Sequence, residues 1–337
     1  MSLLERNRYL LAQPFSKNVE TYVCPISKSK NEVSDGLKIA GGWRFFNELR
    51  VIQKKENVFS ESIMTPLKLI EEAKNESKEA LQEAENVIDS ITNKRLSFSN
   101  LNMSQPHIMG IINSTPDSFY KKSRSTNSSF AIKKSNQMIS DGASIIDIGG
   151  ESSRPGAKKI SIEEEMQRVI PSIIDFKKNN IVTQISLDTR NLPTMKLGLE
   201  SGVDIINDIS GFADHSKIKF VSKYNLPVII MHMQNEPNNM QIEPKYSFAP
   251  IDIYKILSKR VNLLIQMGVN KSNIVVDPGI GFGKNIYHNL EILRNVSLFH
   301  SLGVPILIGL SRKTFIHEVL VKGYKYEGIT KRSISPN

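Results

Sequence analysis

From residue 107 onward the chain repeats one pattern seven times: a short apolar run that stops at a polar residue, then a longer amphipathic stretch. The runs are Ile108 to Asn113, Ser144 to Ile148, Val182 to Leu187, Ile205 to Ile209, Pro227 to Met231, Asn273 to Val276 and Pro305 to Ile308. Helical spacing falls between them, over Phe130 to Ser140, Ile162 to Lys178, Pro193 to Glu200, His215 to Lys223, Ile251 to Met267 and Leu290 to His300. Apolar strands alternating with amphipathic helices predict a parallel sheet covered by helices, either a β/α barrel or a doubly wound sheet. A doubly wound sheet gathers its functional groups at one switch point. Here almost every strand is followed by a polar group, which favours the barrel.

The first run sets the pattern. MGIINSTPDSF begins as a strand and breaks off where Pro116 cannot continue a ladder and pushes Thr115 into an extended conformation. Asn113 ends this strand, the loop Gly149 to Gly156 follows the second, and Asp188-Thr189 the third. Asn207-Asp208, Met231-His232-Met233, Asp277-Pro278-Gly279 and Ser311-Arg312-Lys313 complete the series. In a barrel these groups converge on one mouth. Two buried carboxylates, an amide and a lysine can read the edge of a flat polar heterocycle, and an amide beside a basic loop can hold a phosphate or metal-phosphate. Each element also has a structural reading. Asp188-Thr189 can cap a helix, Asp277-Pro278-Gly279 can be an ordinary turn, His232 can be a core histidine, and Gly279 to Gly283 resembles half a phosphate loop.

Before the repeats, residues 1 to 62 carry short β-type runs: Glu20 to Val23, Leu37 to Ala40, and Phe45 to Gln53, the last two joined by a Gly41-Gly42 turn. Thr65 and Pro66 then open a helical pattern, as N-cap and first residue. Ile70, Ala73, Ser77, Ala80, Ala84, Val87 and Ile91 recur at helical spacing, predicting one helix of about 27 residues. Its alanine stripe suits an arm packed closely on the main domain. The division expected is a β-rich lobe over 1–62, helix and linker over 63–106, and the barrel over 107–337.

No run of about 18 apolar residues is present to span a bilayer, so no membrane segment is expected. The net charge of +10 is spread thinly, with no basic run of five interleaved with aromatics, and nucleic acid is not an expected partner. One cysteine, Cys24, allows no internal disulfide and fits a reducing cytoplasm.

Together the segments MGIINSTPDSF, IIDIGGESSRPGA, SLDT, INDISG, MHMQ, VVDPGIGFGK and IGLSRKTFI resemble the dihydropteroate synthase family over His107 to Glu318. That family is the sulfonamide target of folate and tetrahydrofolate biosynthesis, a transferase on a (β/α)8 TIM-type barrel. It joins (7,8-dihydropterin-6-yl)methyl diphosphate to 4-aminobenzoate and releases diphosphate with Mg2+ present. The resemblance implies that Asp188, Asn207, Asp277 and Lys313 bond the pterin edge. Ile111, Ile209, Met231, Phe282 and Gly309 would shape its slot, and Asn113 would ligate Mg2+ or the diphosphate. Ser152, Ser153, Arg154, Pro155 and Phe119 would hold the 4-aminobenzoate ring, with Thr314 at its carboxylate. Catalysis would rest on Asp117, Arg154 and Lys313.

Three departures stand out. Lys121 replaces an aspartate of the first loop, Ser153 replaces a threonine, and the eighth strand with its Arg-Val-His-Asp stretch does not occur before Asn337. The expectation is a barrel lacking that strand, weakly active or inactive alone, with a homodimer mate or a complementing C-terminal fragment as partner. Two other readings share the pterin contacts: a degenerate pterin-binding protein and a pterin-dependent methyltransferase. The first hundred residues resemble a short extension with a Gly-Gly-Trp turn at Gly41 to Trp43 and suggest no activity.

Overall fold

The computed structural model describes residues 10–26, 29, 31, 35–56, 58–114, 124–152, 156–157 and 159–322, with the side chains of residues 124–130 and 322 excepted. In chain order the first elements are β1 (Glu20–Ile26), β2 (Leu37–Lys38), β3 (Phe45–Phe46), β4 (Glu48–Lys55), β5 (Val58–Met64), α1 (Pro66–Glu76) and α2 (Lys78–Thr92). β1, β4 and β5 form an antiparallel sheet with β4 in the centre. Period-two alternation gives that sheet two apolar faces. Val23, Leu49 and Val51 meet Leu69, Ala73, Ala80, Ala84 and Ile91 of α1 and α2. Tyr22, Cys24, Ile52 and Phe59 face the other way, onto Phe248, Ile251 and Leu298 of the barrel wall.

Two sequence expectations change here. β5 lies in a stretch with no strand expected, and the long helix is two helices. Thr65 does cap α1, its hydroxyl accepting from Lys68 N at 3.2 Å. Ser77 then takes an extended backbone (φ −167°, ψ 169°), and its hydroxyl accepts from Ala80 N at 3.0 Å. A serine that satisfies a new helix start competes with continuation of the old one. The alanine stripe packs on the lobe's own sheet, and the end of α2 reaches the barrel through Arg95, whose Nη2 donates to Ser90 O and His300 O.

The repeats follow as β6 (Ile108–Asn113), α3 (Arg124–Ser140), β7 (Ala143–Gly149), α4 (Ile162–Lys178), β8 (Gln184–Asp188), α5 (Leu192–Glu200), β9 (Ile205–Asp208), α6 (His215–Lys223), β10 (Val228–Met231), α7 (Ala249–Gln266), β11 (Ile274–Asp277), α8 (Ile286–Arg294) and α9 (Thr314–Lys322). A 3-10 turn, Val296–Leu302, replaces the end of the helix expected through His300. All six strands are parallel, and spatial order equals chain order from β6 to β11. Sequential order with no reversal excludes the doubly wound alternative, which needs a switch point. The seventh run joins through one parallel bridge, Val276 to Ile306.

The sheet is curled. Met109 on the first strand and Leu307 beyond the last line one cavity of about 430 Å³ with Phe98, Ile145, Ile229 and Val275. A flat sheet would hold those edges roughly 29 Å apart at about 4.8 Å per strand. The architecture is α/β with a parallel sheet of the TIM-barrel type. Outward residues such as Ile146, Ile148, Leu187, Ile206, Ile230 and Val276 pack against the helices. Among the described residues, no helix is long and apolar enough to cross a membrane.

Candidate active site

Paired residues in a parallel sheet share a face, so the registers fix what points inward. One inner rung is Ile111, Asp147, Ser186 and Ile205, and the next is Asn113, Gly149, Asp188, Asn207 and Ile229. Met231 and Asp277 pair at the end of β10 and β11. The strands therefore carry three carboxylates, Asp147, Asp188 and Asp277, and two amides, Asn113 and Asn207, toward the mouth of the curled sheet. Gly149 makes room for one of them, because a Cβ there would meet Asp188 Oδ2 at 3.3 Å.

Two of these carboxylates, Asp188 and Asp147, are sparsely bonded among the described residues. Asp188 makes no hydrogen bond among the described residues. It does not cap α5, whose N-cap is Asn191. Burial raises its carboxyl well above the usual range, and the neighbouring charges of Asp147, Asp208, Glu165 and Glu151 add to the rise. Asp147, 5% exposed, accepts from Asn207 Nδ2 at 3.2 Å through Oδ2, while its Oδ1 and the Ser186 hydroxyl have no partner among the described residues. Burial pushes Asp147 up to about 6. Behind them Glu165 is fully engaged, accepting from Thr189 Oγ1 at 2.7 Å, Asn191 Nδ2 at 3.0 Å and Thr194 Oγ1 at 2.5 Å.

Asp277 combines both of its sequence readings. Its Oδ1 accepts from Gly279 N at 2.7 Å, as a turn aspartate does, and it also faces Lys313 and Lys284. Burial raises it to about 6, and those two ammonium groups pull it down. Lys313 lies 4.3 Å above the centroid of the Phe282 ring. The Gly279 to Gly283 stretch is not a phosphate cradle. Gly279 N is held by Asp277 and Gly281 N by Asn289 Oδ1 at 2.8 Å. Gly279 has φ 68°, and a Cβ there would fall 2.0 Å from His232 O, so the glycine serves close approach of two loops.

The sequence reading paired Asn207 with Asp208, and the structure separates them. Asn207 points inward, whereas Asp208 points out and pairs with Lys217 of α6 at 2.6 Å. Ser152 and Ile209 line one recess with Asp188. Ile111, 51% exposed, and Asn113 stand on the open outer strand, and Gly309 and Thr314 are exposed near the other edge. Met231 is buried beside Asp277. Asp117, Phe119, Lys121, Ser153, Arg154 and Pro155 lie outside the described residues. Asp147, Ser186 and Lys284 were not singled out from sequence. Asp147 was readable, since it precedes Gly149 by two and shares its face.

Asp147→Asn should stabilise the protein. The carboxyl titrates near 3.8 when unfolded and near 6 when folded, so its burial penalty is complete above pH 6 and disappears as pH falls below 4. The expected gain is about 2 to 3 kcal/mol at pH 7.5, shrinking toward pH 4, read from urea midpoints. A gain that does not change with pH would contradict this.

Residues 109–334 match the sequence model of the pterin binding enzyme family. Dihydropteroate synthase of Escherichia coli K12 is 39% identical over 225 residues, which is 67% of this chain and 79% of that protein. The Haemophilus influenzae enzyme of the same name is 40% identical over 222 residues, 66% of this chain and 80% of its own. Among solved structures, Yersinia pestis dihydropteroate synthase in a sulfonamide drug complex aligns with TM-score 0.62 at 36% identity, covering 67% of this chain and 83% of that one. Xanthomonas albilineans dihydropteroate synthase with 4-aminobenzoic acid gives 0.61 at 33%, covering 69% and 82%. With inward carboxylates at the strand ends and this match across two thirds of its length, the chain belongs to the pterin-binding enzyme family, and the relatives it matches are dihydropteroate synthases.

Proposed function

We propose that this chain condenses (7,8-dihydropterin-6-yl)methyl diphosphate with 4-aminobenzoate, forming 7,8-dihydropteroate and diphosphate. The observation that carries the reading is a set of inward polar groups: Asp147 Oδ1 and Ser186 Oγ, without partners among the described residues, beside the buried carboxyl of Asp188. A flat heterocycle rich in N–H groups supplies the missing donors. Asn207 gives its amide hydrogens to Asp147, which leaves its carbonyl oxygen to accept from the ring. Asp188 and Asp277 are assigned to accept from the same edge, Lys313 over Phe282 to one side of the slot, and Met231, Ile209, Ile111 and Gly309 to its walls.

In the reaction the methylene C–O bond breaks and diphosphate leaves. The arylamine nitrogen then bonds to the methylene carbon and gives up a proton. Ionised carboxylates on the ring favour the electron-poor pterin methylene cation. Asn113, exposed at the end of β6, together with substrate phosphate oxygens and water, is a donor set that suits Mg2+, which keeps several waters and takes few protein ligands. Bound there, the ion would neutralise the departing oxygens. Among the described residues, no cluster of three His, Cys, Asp or Glu offers an all-protein metal site. Asp117 is assigned to the cation, and Ser152, Ser153, Arg154, Pro155 and Phe119 to the arylamine ring. Thr314, first residue of α9, is assigned to its carboxylate, where free backbone donors favour an anion.

We place the reaction in the cytoplasm, which the lone buried Cys24 supports. Among the described residues, the outer edge of β6 has no paired strand, so a complementing strand or a second copy of the chain is the partner assigned to it. Calorimetry with the pterin diphosphate, then turnover with 4-aminobenzoate and Mg2+, tests the reading. Product formation blocked competitively by a sulfonamide is expected. Binding without product at any enzyme concentration would instead mark a degenerate pterin-binding protein.

A further inference from the structure

Lys284 sits behind the pterin slot and is 3% exposed. Its Nζ donates to Phe282 O at 2.8 Å and His232 O at 3.2 Å, and its third contact is His232 Nδ1 at 3.1 Å. Three acceptors match the three hydrogens of an ammonium group. A hydrogen bond from that ammonium makes Nδ1 an acceptor, so the imidazole is neutral, as its displacement down to about 3 by burial and by the Lys284 charge also requires. His232 N in turn donates to Asp277 O at 2.9 Å. The side chain thus ties the loop after β10 to the loop after β11, and both loops carry slot residues: Met231 precedes His232, and Phe282 supports Lys313.

A purely structural tie at this place needs no charge. Burying an ammonium costs several kcal/mol, and an apolar side chain would fill the space without that penalty. What the charge adds is a positive group that acts on Asp277 and pulls its carboxyl down.

We propose that Lys284 is a positioning residue of the pterin site, a bolt that joins the two loops and whose ammonium form supplies positive charge that acts on Asp277 through the acid limb. This rests on the pterin reading given above. Asp277 and Lys313 are the charged groups that act on Lys284. His232 and Phe282 hold it, while His288 feels its charge and Tyr246 packs between the two histidine rings at 5.9 and 4.8 Å. Without the bolt, Asp277 retains only Lys313 as a counter-charge, and binding of the pterin edge becomes more sensitive to acid.

The test is calorimetry with 6-hydroxymethylpterin from pH 5.5 to 8.5 on the whole chain and on Lys284→Met and Lys284→Gln, with steady-state kinetics alongside. The acid limb of pterin binding should move up by about one pH unit, giving roughly twofold weaker binding at pH 7 that grows to about eightfold at pH 5.5 and vanishes toward pH 8.5. At pH 5.5 KM for the pterin substrate should rise about eightfold while KM for 4-aminobenzoate stays within twofold. A loss that is equal at every pH, or no loss, overturns the proposal. His232→Asn, which keeps an acceptor near the Nδ1 position, and His232→Leu, which removes it, decide the matter if the lysine variants do not fold. The leucine variant alone should shift the acid limb, and identical profiles for the two overturn the idea. Failure of the unaltered chain to bind 6-hydroxymethylpterin at any pH would sink the pterin reading itself.

Discussion

Lys217→Met is expected to cost about 3 to 5 kcal/mol of folding stability, the range for stripping one partner from a buried ion pair. Lys217 Nζ lies 2.6 Å from Asp208 Oδ2, with 6% and 0% of the two side chains exposed. The ammonium also donates to Ser210 Oγ at 2.8 Å and Arg190 O at 3.3 Å, so it links the ends of β8, β9 and α6. Asp208 accepts in addition from Ser210 N, Ser210 Oγ and Phe212 N. Methionine fills the volume and leaves the carboxylate with neutral donors and the more distant charge of Arg260. Urea midpoints for the two single variants and for Lys217→Met with Asp208→Asn give the coupling. The double variant should recover at least half of the loss, and a double variant as unstable as Lys217→Met alone would show that the charge left behind is not the cause. Asn207, next in chain, should lose its inward aim in the same variant, so pterin binding should weaken as well.

The pair at β9 shows what the sequence could reveal and where it stopped. Period-two alternation is local, so the strands, their order and the arrival of Asp188, Asn207 and Asp277 at one end follow from spacing. The same alternation puts Asp208 outside and Asp147 inside, and both were open to a strict count of the period from Gly149. The His232 to Lys284 contact was not legible. It joins residues 52 apart, and its existence depends on the stagger between β10 and β11 and on positive φ at Gly279. The break at Ser77 was hidden for another reason. Serine at that spacing continues the apolar stripe as well as it begins a new helix, and only its backbone decides. The seventh strand was readable as an apolar run, yet among the described residues its pairing is reduced to a single bridge at Ile306.

Asp277→Asn carries the largest expected effect on binding. The amide keeps an oxygen for Gly279 N, so the turn that positions the residue survives. What is lost is a charged acceptor for the pterin edge, worth about 1.5 to 3 kcal/mol per hydrogen bond, so affinity should fall roughly 100-fold at pH 8. The sign of the pH dependence separates this from general damage. With Asp277 raised to about 6, the unaltered chain binds through a carboxylate above that pH and should lose affinity as pH falls through 6. The variant has no proton to gain there, so its weak affinity should stay flat between pH 8 and 5, and the two curves should converge in acid. Stability should respond differently from Asp147→Asn. Removing the Asp277 charge relieves its burial penalty above pH 6 but leaves Lys284 and Lys313, each held down by burial, without the carboxylate charge that favours their ammonium forms. The net change in the urea midpoint at pH 7.5 should therefore be smaller than the gain from Asp147→Asn. Binding of 6-hydroxymethylpterin within threefold of the unaltered chain at pH 8 would remove Asp277 from the pterin edge.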